Sequence, residues 1–216
     1  MNDTRVAIVA AGTTKFGNRN ATFRDLISEA AKATFDSNAR VSPKDIKSFI
    51  LSTVYPERSA FQGHPAPLAA EWCGVRPTDF HVRVENQCGS GTSAIRTAYS
   101  IIKSGMTDIT MVLGVEKIMV PSHGEIFLNS MAGSDREWES CYGITPPPLF
   151  AMVAQAHMQK FNTTEEQIAQ VSVKNHNHSL NNPNAHHQKG ATLEKVMNSR
   201  MISNPIKLYD CSTNTD

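Results

Sequence analysis

Four cysteines could supply a nucleophile to this chain, and one of them stands in a setting that would activate it. Cys88 lies in Asn86-Gln87-Cys88-Gly89-Ser90-Gly91, where an alternating run gives way to a helical one. The unpaired N–H groups of a helix's first turn carry partial positive charge, so they favour thiolate over thiol and can hold a developing oxyanion. Gly89 and Gly91 leave room for a substrate to approach the sulfur. The chemistry such a group does best is attack on a carbonyl, with the acyl group then carried covalently. A lone cysteine at a strand-to-helix turn is more often a small packed residue, so the surrounding string decides between the two readings. His176, His178, His186 and His187 are a weaker signal. Partners at i, i+2 point to different sides of a helix, and no cysteine or carboxylate lies at ligand spacing, so no metal site is expected there. His157, on a helical stripe, and His64, before Pro65, read as structural residues.

The elements that would position Cys88 follow from periodicity. Phe80, Val82 and Val84 alternate with polar residues, which predicts a strand from Phe80 to Glu85. After Gly91 the period changes to that of a helix, with Ile95, Ala98, Tyr99 and Ile102 as its apolar face and Gly105 as its C-terminal cap. Ile109 to Val115 is a further β-rich run. Upstream, Val6 to Ala10 reads as a buried strand followed by a glycine-bearing loop from Gly12 to Gly17, which lacks the three-glycine dinucleotide fingerprint. Thr22 with Asp25 marks a helix start, and Phe23, Leu26, Ile27, Ala30 and Thr34 line one face. Lys44 to Val54 supplies another strand, and His64-Pro65 opens a short helix ending near Gly74. Helices alternating with strands predict a doubly wound α/β layer with a mostly parallel sheet. Ligands of such sheets sit at the carboxyl ends of the strands, where Cys88 lies.

Composition narrows the function class. With 21 lysines and arginines against 20 acidic residues, the net charge of +1 predicts no nucleic-acid partner. No apolar run is long enough to span a bilayer. Irregularly spaced cysteines predict reduced thiols in a cytoplasmic protein.

The pattern changes after Glu116. Pro121, Gly124, Gly133 and Gly143 punctuate a stretch with no steady period. Thr145 before Pro146-Pro147-Pro148 reads as a helix cap and first turn, with Phe150, Val153, Ala154, His157 and Phe161 as that helix's apolar stripe. Thr163-Thr164-Glu165-Glu166 caps another helix running through Ile168 and Val171. Asn175 to Lys189 reads as loop. An insertion of this length beside a sheet is usually functional.

The string Asn86-Gln87-Cys88-Gly89-Ser90-Gly91, a small-residue helix and a strand ending Gly114-Val115-Glu116 together resemble the nucleophilic-cysteine motif of the thiolases. The likeness is greatest to the sterol-carrier-protein-type thiolases and their archaeal relatives. It continues in Tyr142-Gly143-Ile144-Thr145-Pro146-Pro147, in Lys174-Asn175-His176 and in Asn181-Asn182-Pro183, which are similar to that family's loop domain. The resemblance implies a doubly wound mixed sheet layered with helices, in the order 3-2-1-4-5, with an α/β half at 1–118, an inserted mostly helical loop domain over the active site at 119–210 and a truncated return into the sheet at 211–216. It implies acyl transfer on acyl-CoA or 3-ketoacyl-CoA thioesters, with Cys88 as the acyl acceptor. Gly89, Tyr142 and Gly143 would border the substrate, coenzyme A would enter as substrate, and no other cofactor is expected. A full thiolase is about twice this length. Its activating histidine and second cysteine lie in a second half with no counterpart here, and Cys141 and Cys211 match neither motif. A separately encoded carboxy-terminal half is therefore an expected partner, as is a second copy paired through the Phe80–Glu85 strand. Thr213-Asn214 stands where relatives tend to have Pro-Ile, and Ala185-His186-His187-Gln188 where an aromatic is common. Two alternatives accompany this reading. One is a non-catalytic thiolase-like scaffold or CoA-binding subunit; the other is a different condensing enzyme on the same fold, against which the Cys88 string argues.

Overall fold

A computed structural model describes residues 5–120 and 123–216; Pro121 and residues 1–4 lie outside the described residues. The chain forms two compact units. One comprises the described part of Met1–Thr14 with Arg19–Met119 and Asp216; the other comprises Lys15–Asn18 and Val120–Thr215.

The first unit is built on three parallel strands, β1 (Ser48–Ser52), β2 (Phe80–Val84) and β3 (Thr110–Gly114), in the order β2-β1-β3. The register aligns Phe49 and Leu51 of β1 with Met111 and Leu113 of β3, and Ile50 with both Val82 and Val112. Successive strand residues face opposite ways, so two cores form. Phe49, Leu51, Met111 and Leu113 join Phe23, Ile27 and Ala31 of α1 (Phe23–Asp36) and Ala66, Ala69 and Ala70 of α3 (Pro65–Trp72). On the other face Ile50, with Phe80, Val82, Val84 and Val112, meets Ala94, Ala98 and Ile101 of α4 (Ser90–Lys103). Every residue of β1 is buried, as a central strand covered on both faces must be.

Local signals read from the sequence set the ends of these helices. Thr22 caps α1 through the Asp25 N–H, and the Asp25 carboxylate returns to the Thr22 N–H at 2.9 Å. Helices α3 and α4 both close with a glycine in the left-handed region, Gly74 and Gly105. After α4 the N–H groups of Gly105 and Met106 return to the carbonyls of Ile102 and Ile101, and the equivalent pair closes α3, so the glycines satisfy carbonyls that would otherwise be orphaned.

Three expectations fail here. Val6–Ala10 is not a buried strand. Ile8 is 85% exposed, Asn38 Nδ2 donates to the Val9 carbonyl, and Ser37 Oγ accepts from the N–H of Ala11 at the end of the run. Just beyond it, a side chain at Gly12 would strike the backbone of Ala33 and Thr34, so only glycine lets the chain lie on α1. The order 3-2-1-4-5 fails for the same reason, because β1 pairs directly with β3 and nothing lies between them. The buried face of α4 is also one residue round from the expected one. Ala94, Ala98 and Ile101 face the sheet, while Ile95 and Tyr99 are more than half exposed.

The second unit is mostly helical: α5 (His123–Met131), α6 (Pro146–Phe161), α7 (Glu165–Ser179) and α8 (Leu193–Met197), with a small antiparallel pair β4 (Met201–Ser203) and β5 (Ile206–Lys207). Its core is small, formed by Ala169, Ala191 and Val196 with Val173, Leu193, Met197 and Tyr209 packed around them. Thr145 and Thr164 stand at the starts of α6 and α7 as expected, Pro146 opens α6, and Thr164 makes a capping box with Gln167. The α6 stripe is not a core face. Phe150, Val153 and Phe161 are exposed, and His157 is an exposed residue whose Nδ1 lies 3.0 Å from Thr163 Oγ1. Val171, read as part of the α7 stripe, is likewise exposed. The predicted loop at Asn175–Lys189 begins later than expected, since α7 runs to Ser179.

Candidate functional site

Cys88 sits in a 3-10 turn, Gln87–Gly89, between the carboxyl end of β2 and the first residue of α4. Cys88 is exposed. The turn is cross-tied: the Asn86 N–H donates to Ser90 Oγ at 2.8 Å, Ser90 Oγ donates to the Gln87 carbonyl at 2.6 Å, and the Gly89 N–H returns to Asn86. Gln87 carries a φ of +46°, a conformation that costs about 1 kcal/mol or more in a residue with a side chain. The Glu85 carboxylate, accepting from the Gln87 N–H at 2.6 Å, helps to hold it. Strain of this kind collects where a side chain must be aimed, and composition gives no sign of it, since two glycines stand nearby that could have taken the turn. Gly89 has its own reason: a side chain there would press on Asn86 Nδ2 at 3.1 Å, and that amide also donates to Ser93 Oγ. At Gly91 nothing lies within 4 Å of an added Cβ, so that position stays open to whatever approaches the sulfur.

Beside Cys88 the strand ends form a polar cluster that periodicity did not reveal. Glu116, just past β3, accepts from the Val54 N–H at 2.6 Å and from Thr53 Oγ1 at 3.2 Å. Arg83 of β2 donates to the carbonyls of Thr53 and Val54 and pairs with Glu57. Burial pushes the Glu116 carboxyl up from its ordinary range, against the pull of those hydrogen bonds. The phenol of Tyr55 is likewise held up, first by burial, then by the charges of Glu116 and the Cys88 sulfur. The alternation of β2 pointed to Val82 and Val84 and passed over Arg83; an arginine inside an apolar strand was the available signal.

The remaining expected site residues lie in the second unit. Tyr142, 74% exposed, ends a 3-10 turn, Ser140–Tyr142, and Gly143 follows with a φ of +75° that favours glycine. Three of the four histidines stand in a column, the Tyr209, His176, His187 and His186 rings following one another at 5.1, 5.4 and 5.1 Å, while His178 is exposed on α7. His187 Nε2 also meets Thr213 Oγ1, so the two departures from the thiolase pattern touch each other. Among the described residues no group of three or more His, Cys, Asp or Glu could hold a metal ion. Among them, too, no helix is long and apolar enough to cross a membrane. Of the other cysteines, Cys73 is buried and pushed up to about 12 by that burial, Cys141 Sγ lies 3.0 Å from the Glu137 carbonyl, and Cys211 is pushed up by burial and by Asp210.

A family model described as thiolase, N-terminal domain, matches residues 6–192. The chain belongs to the thiolase family. The acetyl-CoA acetyltransferase of Methanothermobacter thermautotrophicus is 37% identical over 214 residues, 98% of this chain and 54% of that protein. Sterol carrier protein 2 of Bos taurus is 28% identical across 98% of this chain and 40% of its own length. Among solved structures, the Ltp2-ChsH2(DUF35) aldolase superposes with a TM-score of 0.75 at 23% identity, over 96% of this chain and 53% of that one. The chain thus spans about half the length of the curated relatives it matches. Cys88, its turn and the strand-end cluster all fall inside the thiolase-matched span.

Proposed function

We propose that this chain supplies the nucleophilic half of a thiolase-type acyltransferase acting on acyl-CoA or 3-ketoacyl-CoA thioesters. Cys88 is the acyl acceptor. Its thiolate adds to the substrate carbonyl. An acyl–sulfur bond forms as the coenzyme A thiolate, or the carbanion of acetyl-CoA, departs with a proton, and the acyl group then passes to a second thiol or carbon nucleophile. The Cys88 N–H donates to the oxyanion, and Tyr142 and Gly143 border the pantetheine arm. The activating histidine and the acid–base cysteine come from a thiolase carboxy-terminal half. What carries this reading is one observation: an exposed cysteine on a strained, cross-tied turn at the carboxyl end of a parallel sheet, within the span that matches the thiolases.

Two measurements test it. Iodoacetamide near neutral pH should label Cys88 before the other three cysteines; earlier labelling of Cys141 or Cys211 overturns the assignment. Co-expression with a thiolase carboxy-terminal half should give acetoacetyl-CoA cleavage that falls about a thousand-fold or more with Cys88→Ala. Cleavage by the 216-residue chain alone would sink the half-enzyme reading.

A further inference from the structure

The strand order makes the turn after β1 the neighbour of both functional ends of the sheet. Ser52, the last residue of β1, is level with Val84 of β2 on one side and Gly114 of β3 on the other. From Val84 the chain reaches Cys88 in four residues, and from Gly114 it reaches Glu116 in two. The turn between them, Thr53–Tyr55, is gripped from both sides. Glu116 takes the Val54 N–H at 2.6 Å and the Thr53 hydroxyl at 3.2 Å, while Arg83 Nε donates to the Thr53 carbonyl at 3.1 Å and its Nη2 to that of Val54. The third guanidinium nitrogen goes to Glu57, one turn on. Thr53 is 2% exposed. Charged side chains held this close to a sheet end are costly to desolvate, and a loop that merely joined a strand to a helix would be served by water instead. The aromatic side chain that this rigid turn carries is Tyr55, half-buried at the start of α2 (Pro56–Ser59).

We propose that Tyr55 limits the size of the group that Cys88 can carry, with Glu116 and Arg83 as positioning residues that keep its ring from yielding. The proposal rests on Cys88 being the nucleophile. A ring on a mobile loop would give way to a larger acyl group; a ring on a turn clamped at both backbone positions stays where it is. A phenol is uncharged near neutral pH, so the ring meets an acyl chain as a neutral surface. Pocket walls of this kind discriminate by about tenfold or more per added methylene.

The test is the ratio of alkylation rates at Cys88 for iodoacetamide and the bulkier N-benzyl iodoacetamide, measured on the full chain by mass spectrometry. Tyr55→Ala should raise the bulky-to-small ratio about tenfold, while Tyr55→Phe, which keeps the ring, should hold it. Glu116→Ala should shift the ratio in the direction of Tyr55→Ala, and Glu116→Gln, which keeps an acceptor for Val54, should shift it less. General loosening of the fold moves both rates together and leaves the ratio alone. An unchanged ratio in Tyr55→Ala, with Cys88 still labelled first, overturns the proposal and leaves the nucleophile standing. A Cys88 no more reactive than Cys141 overturns both. Should Glu116→Ala fail to fold, the two Tyr55 variants decide.

Discussion

In the unit that carries Cys88, all five residues of β1 are buried; in the unit that carries Tyr142, the sixteen-residue helix α6 buries one, Ala151. Both segments are rich in apolar residues, so hydrophobicity does not separate them. Sheet pairing does. The register of β1 with its two neighbours fixes which side chains point to which face, and helices lie on both faces to cover them. Helix α6 has no such frame, and Phe150, Val153 and Phe161 stay in water together with Trp138 and Tyr142. The second unit coheres instead through a core of small residues, the ring column from Tyr209 to His186, the Lys207–Glu165 ion pair and a 2.8 Å hydrogen bond from Ser172 to Asp210.

The contrast is sharpest in core truncations. Phe49→Ala should cost about 3–5 kcal/mol in chemical denaturation, against about 1–3 kcal/mol for Val196→Ala at the centre of the second unit. Equal costs would mean that the two units are held together in the same way. Next comes the open edge. Among the described residues strands β2 and β3 each have a neighbour on one side only; an edge of this kind invites pairing with a second copy, and β2 is the one expected to pair. Light scattering should therefore give a dimer, and Val82→Pro, which removes an N–H from that edge, should give monomer or aggregate. A monomer in the unmutated protein breaks this expectation.

Smaller effects separate the units by pH. Burial raises Cys73 in the folded sheet unit from 9.0 to about 12. The thiol form therefore favours the fold below pH 9, and that advantage is lost as pH rises from 9 toward 12. By pH 10 the loss should reach about 1 kcal/mol, and Cys73→Ala should remove this slope. The second unit should respond at the opposite end. Burial first, then His186 and His176, lower His187 from 6.5, so the neutral ring favours the fold, and stability falls as pH drops below 6.5 through the lowered value. His187 is exposed, so the effect should be the smallest of the four. Hydrogen exchange of residues 180–192 between pH 7 and 5.5 should report it, and His187→Phe, which keeps a ring in the column, should abolish the pH dependence.

Much of the candidate site was legible because its signals are local. Asn86-Gln87-Cys88-Gly89-Ser90-Gly91 marks a strand-to-helix turn with an exposed cysteine in it, the Thr22–Asp25 box starts α1, and Gly74 and Gly105 end their helices as the structure has them. The clamp on Thr53–Tyr55 was not legible. Arg83, Glu116 and Thr53 are far apart in sequence and meet only because β1 lies between β2 and β3. The +46° φ at Gln87 was hidden as well, since strain is imposed by surroundings rather than by residue type.

The sequence by itself determined the places of the three paired strands and most helices, and several helix ends, because periodicity, capping and turn preferences act within a few residues. It left open which apolar stripe is inward. On α4 the stripe read from periodicity, Ile95–Ala98–Tyr99–Ile102, shares Ala98 with the buried one, Ala94–Ala98–Ile101, and the seating of α4 on Ile50 and Val112 selected the latter. Val6–Ala10 has the composition of a strand, but a strand exists only where a neighbour takes its hydrogen bonds. Tertiary structure gave that run the side chains of Asn38 and Ser37 instead.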